Sequence, residues 1–350
     1  MLKELHLQGI GPTSQIDLEC NSRLNILTGD NGLGKTLLLN IIWWSITKKW
    51  PENPAIPQSK NARICYQFLT PKTNKIESIE TEYDPSSLSW KSIPLKSIFS
   101  IRKTLAIYVQ VDGSFSLFIP GNKNSNSRYI NLSSAQVWDG SRTTKKILIS
   151  GLISDLIKWQ NQPDKSNFLL LSQILEKLSV ADESIKIGEP TRVSLDDVRD
   201  IPTIQLPYET VPITHASAGI KRILSLAYIL VWVQSENDAI SKLLLQEPTK
   251  QIIFLMDETE AHLHPRWQRS ILPAILTVLK DLKPIIDVQV FITTHSPLVL
   301  ASIEPLFEEE EDKLFLFELN NNQVTLDEIP WAKQGDVIGW LTSEIFGLKQ

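Results

Sequence analysis

The eight residues Gly29-Asp30-Asn31-Gly32-Leu33-Gly34-Lys35-Thr36 constrain this chain more than any other stretch. They fit the phosphate-loop pattern G-x-x-x-x-G-K-[ST] at every position. Glycines let backbone N–H groups turn inward around phosphate oxygens. Lys35 can reach the β- and γ-phosphates of ATP, and the Thr36 hydroxyl can ligate Mg²⁺. The strand-like run Leu24–Thr28 precedes the loop and Lys35–Lys48 reads as a helix after it. The helix adds its positive N-terminal end to the phosphate site. Strand, loop and helix together open a nucleotide-binding α/β core.

Three further segments carry chemistry. Ile252–Met256 is a run of large apolar residues, the mark of a buried parallel strand, and it delivers Asp257 and Glu258 to its C-terminal end. α/β sheets place ligands at that end. Asp257 is the candidate Mg²⁺ ligand and Glu258 the candidate group that polarises an attacking water, because phosphoryl transfer needs positioning and charge neutralisation. Alone, the pair reads as a solvated acidic turn; with a phosphate loop upstream the catalytic reading prevails. His215-Ala216-Ser217-Ala218-Gly219 is a small-residue turn opening a helix. Ser217 and Gly219 there can offer a hydroxyl and backbone donors to an anion, or Ser217 can simply cap the helix. Thr293-Thr294-His295-Ser296 follows a second buried strand, Val288–Thr293, and His295 can sense the γ-phosphate or make a local turn contact.

The rest of the chain sets the frame. With 350 residues there is length for one large or two ordinary domains. A net charge of −5 gives no bulk sign of nucleic-acid binding, although a local basic groove is not excluded by it. Two cysteines, Cys20 and Cys65, lack metal-type spacing and point to a reducing, cytoplasmic compartment. The most apolar stretch, Ile223–Val233, is shorter than the roughly 20 residues that span a bilayer. Strands are expected at Arg63–Leu69, Ile76–Tyr83 and Leu105–Val111, the last turning at Asp112-Gly113 into Ser116–Ile119. Helices are expected at Ile147–Trp159, Phe168–Leu178, Ala218–Gln234 and Trp267–Leu282, and a hairpin at Lys313–Leu319 and Gln323–Ile329. The expected organisation is an α/β core with a mixed sheet in two halves, 1–50 and 211–350, split by a large α+β insertion over 51–210. No sustained heptad pattern announces a long coiled coil.

The order of phosphate loop, Ser-x-Gly helix start, apolar strand ending Asp257-Glu258, then strand ending at His295 resembles that of ABC-type ATPases. Ser217-Ala218-Gly219 resembles their signature motif, with Ala218 where the familiar pattern has glycine. Glu260-Ala261-His262-Leu263-His264-Pro265 is similar to the D-loop of the AAA-labelled branch that includes RecF-like, OLD-like and PtuA-like bacterial ATPases. Val111–Phe115, Val137–Gly140, Asp196–Thr203, Thr294–Ser302 and Leu341–Leu348 resemble the PtuA-like group of anti-phage defence ATPases, the Septu and retron-associated kind. That resemblance implies a head-to-tail homodimer, or a higher oligomer built on it, around two ATP molecules. Each site would take Lys35, Thr36, Asp257, Glu258 and His295 from one chain and Ser217 and Gly219 from the other. It also implies a partner nuclease of the HNH type, in some systems with a retron reverse transcriptase and its msDNA, leaving nucleic acid open as a ligand. The sequence does not place the Q-loop glutamine of that family: Gln67 and Gln110 both sit in strand-like runs, and neither has a decisive context.

Two other functions compete. A RecF/SMC-like repair ATPase would clamp DNA directly, and a transporter motor would accompany a permease. The long stretch from Thr36 to Ser217 disfavours the transporter. The chain itself shows no H-N-H-like cluster, and the 55 residues after His295 are too few for the TOPRIM domain of OLD-like proteins. The end at Gln350 stops within the terminal pattern, so the natural protein is expected to continue. The basic groups Lys91, Lys96, Arg102, Lys103 and Arg142, Lys145, Lys146 are read as solvated surface, as is the acidic run Glu308–Asp312.

Overall fold

The computed structural model describes residues 1–70, 75–91, 104–121, 127–180, 183–206, 209–282, 285, 287–335, 337–343 and 345–346. Lys96, Arg102 and Lys103, most of the polar loop Gly121–Ser127, and Glu344, Gly347 and Leu348 of the terminal pattern lie outside the described residues.

Along the chain, β1 (Leu2–Ile10) and β2 (Thr13–Glu19) form a hairpin, and β3 (Leu24–Gly29) leads through the glycine loop into α1 (Lys35–Thr47). Six strands follow: β4 (Arg63–Thr70), β5 (Lys75–Asp84), β6 (Ser89–Trp90), β7 (Thr104–Val109), β8 (Phe115–Ile119) and β9 (Arg128–Leu132). Next come α2 (Ser134–Asp139), β10 (Ser141–Arg142), β11 (Ile147–Ile149), α3 (Leu152–Asn161), α4 (Ser166–Leu178), β12 (Lys186–Arg192), β13 (Asp200–Gln205) and β14 (Thr210–Pro212). The last third holds α5 (Ala218–Leu243), β15 (Gln251–Met256), α6 (Pro265–Gln268), α7 (Ile271–Asp281), β16 (Asp287–Thr293), α8 (Pro297–Ile303), β17 (Asp312–Asn320), β18 (Gln323–Ile329) and α9 (Val337–Thr342).

The central sheet has eight strands in the order β18-β17-β3-β16-β15-β7-β8-β9. Its middle, β17-β3-β16-β15-β7, is parallel, while β18 and the β8–β9 edge run antiparallel. A five-stranded antiparallel sheet, β2-β1-β4-β5-β6, and smaller two- and three-stranded sheets accompany it. The fold is therefore mixed α/β with a mixed central sheet, as expected from the motifs. The segment 51–210 supplies β4–β6 to the antiparallel sheet and β7–β9 to the central one.

The apolar runs are continuous because the central strands are covered on both faces. Ile252, Phe254 and Met256 of β15 join Leu105, Ile107 and Val109 of β7 in the core packed against α5 and α7. The alternate residues, Ile253 and Leu255 with Ala106 and Tyr108, face the other core, which holds α1 and the antiparallel sheet. Each large side chain fully removed from water contributes about 1.5–3 kcal/mol. α1 lies between two sheets, and ten of its thirteen residues are buried.

Three expected helices differ in detail. Ile147–Ile149 is a strand paired with Ser141–Arg142, and the helix starts only at Leu152. Gly151 causes the break: its φ is +92°, and a Cβ there would sit 2.3 Å from the Gly140 nitrogen. Trp267–Leu282 is two helices, parting around Arg269-Ser270. Pro273 has no N–H to donate and is accommodated in the first turn of α7, where none is required. The helix after Ser217 runs on past Gln234 to Leu243. Within the acidic run, Asp312 is buried and pairs with Arg23, so only Glu308–Glu311 are exposed.

Candidate functional site

Parallel strands end on a common side of the sheet, and here that edge collects the motifs. β3 ends in the glycine loop, β16 in Thr294-His295, β15 in Asp257-Glu258 and β7 in Gln110. The order β3-β16-β15-β7 sets these four loops side by side. Of the two glutamines that sequence left open, Gln110 lies beside the carboxylates, where Asp257 N–H donates to the Val109 carbonyl at 2.9 Å. Gln67 belongs to β4 of the antiparallel sheet. Gln110 is buried, and its amide donates to Ser116 Oγ at 3.2 Å.

The loop is shaped by its glycines. Gly29 has φ +125°, and a Cβ on it would meet the Phe317 carbonyl oxygen of β17 at 2.2 Å, so no larger residue fits. Gly34 holds φ +99° as the N-cap of α1. Asp30, Asn31, Gly32 and Thr36 are exposed, whereas Leu33 and Lys35 are buried. Lys35 Nζ donates to the carbonyls of Gly29 at 2.9 Å and Asp30 at 2.6 Å. Burial lowers the Lys35 ammonium pKa, and the carboxylates of Asp257, Glu258, Asp30 and Glu260 pull it back up. A buried cation at the mouth of a loop of N–H groups suits a polyanion that replaces the lost hydration.

The carboxylates are held by a second strand end. Asp257 is 2 % exposed; its Oδ2 accepts from Thr36 Oγ1 at 2.8 Å and its Oδ1 from Thr293 Oγ1 at 2.6 Å. Thr293 Oγ1 in turn accepts from the Glu258 N–H at 2.7 Å. Glu258 sits at φ +44°, a left-handed conformation uncommon outside glycine. The Thr36 hydroxyl and the Asp257 carboxylate form a pair of hard oxygen donors, the set Mg²⁺ takes alongside phosphate oxygens. The residues present therefore fit the metal and the nucleotide.

Glu260 links the next loop to His295. Its Oε2 accepts from Thr294 Oγ1 at 2.8 Å, and its Oε1 accepts from the His295 N–H. Ser296 Oγ donates to Gln268 Oε1 at 2.7 Å and caps α8 by accepting from Leu298 and Val299 N–H. His264 caps α6 by accepting from the Arg266 N–H, and among the described residues no three or more His, Cys, Asp or Glu side chains cluster to hold a metal ion.

Ser217 and Gly219 stand apart. Ser217 is exposed and caps α5, accepting from Ile220 N–H at 3.4 Å. A Cβ on Gly219 would lie 2.9 Å from the His262 carbonyl, so this turn packs on its own chain's Glu260–Pro265 loop. Among the described residues no hydrogen bond joins it to the phosphate loop. Sequence reasoning had no role for Thr293, Arg222 or Gln268, because each acts through a partner distant in the chain.

A family model described as "AAA domain, putative AbiEii toxin, Type IV TA system" matches residues 24–301, which contain every loop described above. The chain belongs to this family. It therefore carries an ATP-binding AAA-type ATPase domain. The Septu protein PtuA of Bacillus thuringiensis is 23% identical over 100% of this chain and 85% of its own length. The "Retron Vc95 probable ATPase" of Vibrio cholerae serotype O1 biovar El Tor is 28% identical over 47% of this chain but only 30% of its own length. Among solved structures, the Smc head domain of Pyrococcus furiosus superimposes with a TM-score of 0.51 at 11% identity, covering 94% of this chain and 96% of that one. This likeness confirms the fold. Among the described residues no helix is long and apolar enough to cross a membrane.

Proposed function

We propose that this AAA-family domain hydrolyses ATP at composite sites formed by two copies of the chain, head to tail, and that this cycle controls a partner nuclease in anti-phage defence. One observation carries the composite site: the Thr36–Asp257–Thr293–Glu258 network is assembled within one chain, whereas among the described residues the turn at the exposed Ser217 makes no hydrogen bond to it. A second copy would bring its Ser217 hydroxyl and α5 N–H groups to the γ-phosphate.

In this reading Gly29–Thr36 hold the phosphates and Lys35 spans the β- and γ-groups. Thr36 and Asp257 would hold Mg²⁺, which neutralises phosphate charge when bound. Glu258 orients and polarises the attacking water, His295 contacts the γ-phosphate, and Gln110 lines the site from β7. Full-length similarity to a Septu protein PtuA supports the defence role, with an HNH nuclease as the expected partner and a retron reverse transcriptase with msDNA as the variant assembly.

Glu258→Gln is expected to bind ATP without hydrolysis and so accumulate a dimer by size-exclusion chromatography with light scattering. Mixing Lys35→Ala with Ser217→Arg is expected to regain ATPase activity through one intact site. A mixture no more active than its components would mean that sites form within one chain. Pull-down of Glu258→Gln from the native host is expected to recover a nuclease; ATP-dependent protection of duplex DNA with no nuclease would favour direct DNA clamping instead.

A further inference from the structure

Arg222 lies one turn inside α5, five residues after Ser217, and is 7 % exposed. No described carboxylate bonds to it. Its guanidinium instead donates to three backbone carbonyls: Nη1 to Val111 at 3.0 Å, and Nη2 to Asp257 at 3.2 Å and Glu258 at 3.1 Å. Val111 follows Gln110 at the exit of β7, and Asp257 and Glu258 form the exit of β15. One side chain thus ties together the ends of two neighbouring strands and the helix that presents Ser217.

Burying a guanidinium without a bonded carboxylate is costly, and three carbonyl dipoles offset only part of that cost. The surrounding charges of Glu260, Asp257, Glu258 and Asp112 favour the cation, against the burial that disfavours it. The position of the carbonyls explains why a cation is kept there. Glu258 has a left-handed backbone at φ +44°. Its N–H is held by Thr293 Oγ1 at 2.7 Å, and its carbonyl accepts from both the Ala261 N–H at 2.9 Å and Arg222. Such a conformation persists only when the surroundings over-determine it.

We propose that Arg222 is a positioning residue for hydrolysis: by clamping the carbonyls of Asp257, Glu258 and Val111 it fixes the backbone from which Glu258 reaches the attacking water. This rests on the proposed role of Glu258. The guanidinium turns Nη1 to one strand end and Nη2 to the other, a spread of donors that the single ammonium nitrogen of lysine does not reproduce. The clamp also makes α5 and the end of β15 move as one unit, joining the Ser217 turn to the chain's own catalytic carboxylate.

The test compares Arg222→Lys and Arg222→Ala with wild type in ATP affinity, ATP-driven dimerisation, kcat and melting temperature. Arg222→Lys is expected to keep ATP affinity within about threefold and still dimerise, while kcat falls on the order of a hundredfold, the loss that follows when a reacting group is misplaced by about 1 Å. Millimolar methylguanidinium is expected to restore part of the Arg222→Ala rate without changing ATP affinity. If Arg222→Ala does not fold, the lysine variant carries the test. A folded Arg222→Lys with wild-type kcat overturns the proposal, as does a rate loss matched by an equal loss of ATP affinity. Failure of the Glu258 reading looks different: wild-type hydrolysis would then be insensitive to Glu258→Gln.

Discussion

Thr293→Val removes a single hydroxyl that makes one buried and one half-buried contact at the site. Thr293 is fully buried, and its Oγ1 donates to Asp257 Oδ1 at 2.6 Å while accepting from Glu258 N–H at 2.7 Å. Valine keeps the shape and fills the space, so no cavity term arises. The half-buried Glu258 N–H then loses its partner, at up to about 1–3 kcal/mol, and the Asp257 carboxylate loses a charge-assisted bond worth about 1.5–3 kcal/mol. The added methyl returns about 0.8 kcal/mol through burial. The net expected loss is about 2–5 kcal/mol, toward the low end where water reaches the N–H or the carboxylate. Glu258 also loses one of the bonds that hold its left-handed backbone, and kcat is expected to fall on the order of a hundredfold. Thr293→Ser keeps the hydroxyl and is expected to cost about 1 kcal/mol for the missing methyl, with activity largely retained. The assay is urea denaturation followed by tryptophan fluorescence, in parallel with phosphate release at saturating ATP. A valine variant within about 0.5 kcal/mol of wild type, the range of an ordinary surface change, and at full activity would show that neither contact matters.

Three further outcomes are expected. Gly29→Ala would force a Cβ to 2.2 Å from the Phe317 carbonyl at φ +125°, so it should abolish binding of a fluorescent ATP analogue and lower the melting temperature; normal binding would refute the fit argued for the loop. Lys48 donates from Nζ to the Ser45 carbonyl at 2.8 Å and lies over the Trp44 and Tyr66 rings, and burial lowers its pKa from 10.5 to about 7. Between those values the unfolded chain binds the extra proton, so stability should rise with pH from about 7 to 10.5, and Lys48→Met should flatten that slope in denaturant titrations. Glu304 accepts from the N–H groups of Gln334 and Gly335 and from Trp340 Nε1, so Glu304→Ala should expose the 331–343 segment to limited proteolysis; unchanged protection would show that ring packing of Phe307, Trp331 and Trp340 suffices to hold it.

The sequence alone determined what depends on neighbours along the chain. Gly29–Thr36, the strand delivering Asp257 and Glu258, and the Ser217 helix start were legible because their backbone shapes follow from glycine, from apolar runs and from capping within a few residues. The breaks at Gly151 and around Arg269-Ser270 were missed because helical spacing continues across them; at Gly151 the backbone conformation and packing of one glycine stop the helix. Tertiary structure decided everything that joins distant segments. Gln110 and Gln67 sit in equally strand-like runs, and only the pairing of β7 with β15 puts Gln110 at the site. Thr36 meets Asp257 across 221 residues, Thr293 meets Asp257 across 36 and Arg222 meets Val111 across 111. A hydroxyl or a guanidinium specifies what it can bond but not where its partner will be. Strand order fixes that, through the burial of both faces of the central sheet, and it sets the phosphate loop beside the strand ends that carry Asp257 and Thr293.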